Sequence, residues 1–97
     1  MFRVRFYCGG QDRAGKNVLP DVYKEVLKKA FHGFTMCYVE GNYMGQDEAS
    51  YVFEILVGEA VAWSGEKVGK ELARVGNQSE VLVTTEIVNS FFVGPGK

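Results

Sequence analysis

The sequence is short of the residues that usually announce chemistry. Its 97 residues include one histidine, two cysteines, two prolines and one tryptophan. Cys8 and Cys37 are too few for a disulfide framework and predict free thiols. With His32 they match no zinc spacing, so no metal or cofactor is expected. Formal net charge is -1, which lacks the basic excess of a dedicated nucleic-acid binder. No run approaches the ~20 apolar residues that span a bilayer. Met1 leads straight into strand-like sequence with no apolar run of signal length, which predicts a cytoplasmic protein.

What is present is apolar residues in regular patterns. At 46% hydrophobic and 13% aromatic, the chain can build the core of one domain spanning 1–97, with a surplus that suggests burial between subunits. Ala49 to Val57 (A-S-Y-V-F-E-I-L-V) is the strongest segment. Tyr51, Phe53, Ile55 and Val57 fall on one side; Val52, Glu54 and Leu56 fall on the other. A strand apolar on nearly both faces belongs inside a sheet. Met1 to Cys8 alternates as well, with Phe2, Val4 and Phe6 opposite Arg3, Arg5 and Tyr7.

Gly9 to Leu19 reads as a loop, and Pro20-Asp21 opens a helix. Val22, Tyr23, Val26, Leu27, Ala30 and Phe31 form its apolar stripe. Phe34 to Asn42 reads as a strand, and Tyr43 to Glu48 as a turn. Ser64 is a candidate N-cap for a helix through Val75. Glu80 to Thr85 reads as a fourth strand, with Glu86 to Val93 as a β extension. The order β-α-β-β-α-β predicts an α+β, ferredoxin-like sandwich. It would have a four-stranded antiparallel sheet with two helices on one face. Arg3, Arg5, Tyr7 and Glu54 would lie on the uncovered face, joined by Tyr38 and Glu40 depending on register. Such a mixed face suits a ligand or another subunit.

Gly10 to Asn17 nearly matches the phosphate-cradling pattern G-x-x-x-x-G-K-[ST]. Asn17 replaces the magnesium-binding hydroxyl, and Pro20 delays the helix past Lys16. A hydrolytic phosphate loop is therefore not expected. The stretch reads first as a plain flexible loop, and second as a loop closing over an anion with Arg13, Lys16 and free N–H groups. Trp63, after the third strand, could stack a base. Gln78 lies in the Asn77-Gln78-Ser79 cluster, which could bond a ligand's polar edge. Glu40 with Glu54 as an acid/base pair is less economical than their pairing with arginines.

The stretch Tyr51 to Val93 resembles the second half of the PII and CutA-like group of small ferredoxin-fold proteins. The likeness rests on Y-V-F-E-I-L-V, the short helix and Q-S-E-V-L-V-T-T-E-I-V-N-S-F-F-V. It implies a homo-oligomer, dimer or trimer, with clefts between subunits; PII proteins bind adenine nucleotides in such clefts. Gly41 to Ser50 is too short for the PII effector loop, and Gly76 to Ser79 for its phosphate-binding loop. The leading expectation is a non-catalytic oligomer that binds an anionic small molecule, such as a nucleotide. It would serve as a sensor or as a sequestering protein of the phage anti-defence kind. The alternatives are a protein-interaction module using the open sheet face, and a small ferredoxin-like enzyme.

Overall fold

The computed structural model describes residues 1–62 and 64–96. Its elements run β1 (Phe2–Gly9), α1 (Pro20–Ala30), β2 (Thr35–Tyr43), β3 (Gln46–Val57), a single turn α2 (Glu59–Ala62), α3 (Gly65–Val75) and β4 (Leu82–Ile87). The fold is α+β, with one open four-stranded antiparallel sheet in the order β2-β3-β1-β4. The two strands with the clearest alternation, β1 and β3, occupy its centre.

Register follows from that alternation. Val4 stands opposite Ile55 and Phe6 opposite Phe53, so their buried faces coincide. Slipping one residue would send all of these side chains to the other face. Tyr23 and Leu27 of α1 and Val68 and Leu72 of α3 complete the same buried cluster. Both longer helices therefore cover one side of the sheet. Ser64 does precede α3, but its hydroxyl donates to the Val61 carbonyl at 2.6 Å and does not cap the helix.

Three sequence expectations need correction. The β2–β3 turn is tighter than expected: only Met44 and Gly45 lie between the strands, at φ 53° and 84°. Two successive positive φ values give the mirror-image turn whose twist matches paired strands, so β3 starts at Gln46 and not at Ala49. The fourth strand begins two residues late, because Asn77 and Gln78 are used in ending α3; their amides donate to the Arg74 and Ala73 carbonyls. Of the expected β extension only Glu86 and Ile87 join β4, with one further bond, Val88 N–H to the Met1 carbonyl at 3.0 Å. Beyond it, residues 89–96 pair with no strand of the chain.

Tyr23 ties these elements together. Its ring is fully buried, with centroids 6.0 Å from Tyr51 and 6.1 Å from Phe53. Its hydroxyl donates to the Gly9 carbonyl at 2.7 Å. Gly76, just past α3, lies so close that a Cβ there would overlap the ring. Tyr23→Phe should keep the fold but leave that carbonyl without its partner. The expected cost is about 1–3 kcal/mol in urea unfolding, with an unchanged circular dichroism spectrum.

Candidate functional site

Two places hold the polar side chains singled out in the sequence. The first is the uncovered sheet face. Arg5 Nε lies 2.8 Å from Glu54, Arg3 Nη1 lies 2.9 Å from Glu86, and Arg3 Nε lies 3.4 Å from Glu54. Arg5 also approaches Glu86 at 3.6 Å. The four charges cancel, and each guanidinium faces two carboxylates. Arg3, Arg5 and Glu54 do share this face, with Tyr7 beside them opposite Val52 and Leu82. As arranged, the charges neutralise one another, and Arg3 Nε is left buried without a hydrogen bond.

Tyr38 is not part of that face. It stands opposite Tyr51, ring centroids 5.1 Å apart, and Glu40 stands opposite Ala49; both lie on the helix side. The uncovered side of β2 instead carries Thr35, Cys37 and Val39. Glu40 is thus separated from Glu54 by the sheet. Trp63 lies outside the described residues.

The second place is a cleft of about 380 Å³ beyond the end of β1, a size at the small end of ligand sites. Its walls come from the loop after β1 (Gly9, Gly10, Gln11, Asp12, Arg13, Asn17), from β3 (Asp47, Glu48, Ala49), and from the segment after α3 (Gln78, Ser79, Glu80). Of the expected site residues it contains Arg13 and Gln78. Lys16 sits on the same loop but does not line the cleft.

The core fixes these walls. Tyr23 holds the Gly9 carbonyl, and the Tyr51 hydroxyl donates to the Val18 carbonyl at 2.7 Å. The loop is thereby pinned at both ends by buried tyrosines. Gly10 N–H donates to the Ala49 carbonyl at 3.0 Å, joining the loop to β3. Gln78 Nε2 donates to the Gln11 carbonyl at 2.8 Å, and Arg13 donates twice to Asn77 Oδ1, at 3.0 and 2.7 Å. Gly9 lets Gln78 lie against this junction, because a Cβ there would push the end of the Gln78 side chain aside.

The five amides from Asp12 to Lys16 all donate within the protein, which leaves those of Gln11 and Asn17. Asp12 N–H donates to the Lys16 carbonyl, Arg13 N–H to the Asn77 carbonyl and Gly15 N–H to the Asp12 carbonyl. Ala14 and Lys16 N–H both donate to Asp12 Oδ1, at 2.8 and 3.0 Å. The phosphate-cradle pattern thus closes on its own aspartate. This corrects the expectation of free N–H groups for residues 12 to 16.

Charge around the cleft is predominantly acidic: Asp12, Asp47, Glu48 and Glu80 against Arg13. Asp12 is held by the loop amides, and Asp47 accepts from Asn42 Nδ2 at 2.9 Å. Among the described residues Glu48 and Glu80 make no ion pair or side-chain hydrogen bond, so their carboxylates are available. The sequence reading missed both, since neither fits a local motif. The one available signal was the acidic run Asp47-Glu48 beside a tight turn.

The cysteines add no nucleophile to the cleft. Burial pushes the Cys8 thiol up to about 12, so it stays protonated near neutral pH. Cys37 is exposed on β2. His32 is exposed just beyond α1.

No family model and no curated protein matches the sequence. Among solved structures, a phage SAM lyase in its apo state superposes with a TM-score of 0.69 at 24% identity, covering 88% of this chain and 78% of that one. A de novo designed protein, Foldit4, superposes with a TM-score of 0.45 at 16% identity, covering 91% of this chain and 96% of that one. The lyase likeness establishes a shared fold.

Asp12 gives the loop a testable pH dependence. The Lys16 amide foremost, and the Ala14 amide with it, hold its carboxyl below the ordinary aspartate value. A depressed value means that the stabilisation is present above the unfolded aspartate value and is lost as pH falls through the folded one. The Ala14 and Lys16 amide resonances should therefore titrate together, with a midpoint below that of a free aspartate. Asp12→Asn should abolish the titration while keeping an oxygen acceptor.

Proposed function

We propose that the chain binds S-adenosylmethionine in the cleft and cleaves its sulfonium carbon–sulfur bond. The observation that carries this reading is the charge of the cleft. Two unpartnered carboxylates, Glu48 and Glu80, stand with a single guanidinium, Arg13. An anionic nucleotide would meet excess negative charge there and no free amide between Asp12 and Lys16. A zwitterion with a cationic sulfonium and ammonium and one carboxylate matches the set. In this proposal Glu48 and Glu80 face the cationic end, and Arg13 takes the carboxylate. Gln78 and Ser79 offer hydrogen bonds to polar edges. The phage SAM lyase of similar fold supplies the substrate class.

The electron pair of the broken carbon–sulfur bond stays on sulfur and gives a neutral thioether, while the ligand's own carboxylate oxygen closes on the freed carbon as a lactone, so no proton has to move. The protein's task in such a reaction is to hold the ligand bent and dry. That demands neither a nucleophilic cysteine nor a histidine. The proposal extends to the architecture: with β1 and β3 central and both longer helices on one side, we read the arrangement as ferredoxin-like. The self-association implied by the resemblance to PII and CutA-like proteins belongs to the same proposal.

The test is incubation of the purified chain with S-adenosylmethionine, followed by chromatography and calorimetry. Loss of the sulfonium with appearance of a thioether nucleoside is expected. Binding without turnover would reduce the function to sequestration, and neither binding nor turnover would overturn it. Glu48→Gln and Glu80→Gln should each weaken S-adenosylmethionine binding about 1.5- to fivefold, the range of an exposed ion pair. Both should leave binding of methylthioadenosine, a thioether nucleoside with neither cation, nearly unchanged.

A further inference from the structure

The C-terminal segment leaves an apolar arm uncovered. Phe91 is 84% exposed, Phe92 104% and Val93 80%. Ile87, the last residue of β4, is 79% exposed. Residues 88–93 (V-N-S-F-F-V) carry no charge and pair with no strand of their own chain beyond the bond at Val88. The radius of gyration is 14.6 Å and the longest axis 52 Å, whereas a compact chain of this size has a radius near ~13 Å. Two adjacent phenylalanines fully in water are a cost that an isolated monomer does nothing to offset.

The same chain has a matching vacancy. A groove of about 420 Å³ lies between α3 and β4, with an apolar strip of Gly69, Ala73, Val81 and Val83 beside the charged Glu66, Lys70 and Glu80. β4 pairs only with β1, so its outer edge keeps unpaired N–H and C=O groups. Leu82, on the other side of that edge strand, is 59% exposed. The arm cannot fill this groove in its own chain without reversing direction, because it continues away from the Val81 end of β4.

We propose that the arm of one copy docks as an added strand on the free β4 edge of a second copy. Successive side chains of a strand point to opposite faces. One phenylalanine then enters the groove against Gly69, Ala73 and Val83, and the other lies against Leu82 on the uncovered face. Two phenylalanine rings remove roughly 300–500 Å² from water. The arm's aliphatic residues and the groove walls bring each junction towards the ~1,000 Å² at which interfaces become specific. Each copy is both donor and acceptor, so the junction closes as a reciprocal pair or as a ring. A second copy is favoured over a foreign chain because one sequence supplies both the apolar arm and, in Gly69, Ala73, Val81 and Val83, an apolar strip to receive it.

Native mass spectrometry of the full chain, without ligand, tests this independently of the sulfonium reading. The wild type should run as a whole-number multiple of 10.8 kDa. Phe91→Ser with Phe92→Ser should run at the monomer mass with unchanged circular dichroism. Ala73→Glu, which places a charge in the groove and leaves the arm intact, should do the same. A monomeric wild type at micromolar concentration, or a double variant that keeps the wild-type mass, would overturn the proposal.

Discussion

Everything near the cleft depends on the hydrogen bond from Tyr23 to the Gly9 carbonyl. A buried hydroxyl without a partner is costly, so the fold places a backbone acceptor over it. That acceptor is the residue at which β1 becomes a loop. Because the ring also packs on Tyr51, Phe53 and the backbone of Gly76, four parts of the chain converge on one side chain. The loop, the end of β1 and the start of the segment after α3 are positioned relative to each other by packing in the core. Burial accordingly holds the Tyr23 hydroxyl protonated, well above the ordinary tyrosine range.

Most of the sheet was legible from the sequence, because period-2 alternation in β1 and β3 is unambiguous and sets the register. Boundaries failed where backbone geometry has no sequence signal. A positive φ at Met44 is not written in methionine's preferences, so the hairpin looked like a longer turn. The start of β4 was misplaced because Asn77, also at positive φ, and Gln78 are consumed by the end of α3. Tyr38 landed on the helix side because β2 has weak alternation, and only pairing with Tyr51 decides which way it points.

The candidate site was legible only in part, and for a physical reason. The glycine-lysine pattern drew attention to the correct loop, yet the chemistry read from it was anion binding. Asp12 reverses that inference by accepting the amides a phosphate would need. Glu48 and Glu80 were invisible, since a carboxylate acquires meaning only from its distant neighbours. The segments near residues 10, 48 and 79 are brought together by the antiparallel order, and local spacing cannot report that.

Charge separates the two faces in function as well. On the uncovered sheet face, Arg3 and Arg5 meet Glu54 and Glu86 in equal number, and cross-strand pairing uses up their fields. Such a network can orient an approaching surface but offers little to a small ion. At the cleft the carboxylates outnumber the guanidinium, and two of them have no partner. Uncompensated charge costs least where solvent reaches it, and it is also where a ligand gains most by replacing that solvent. The binding argument therefore moves from the sheet face, where the arginines first suggested it, to the acidic cleft at the end of β1.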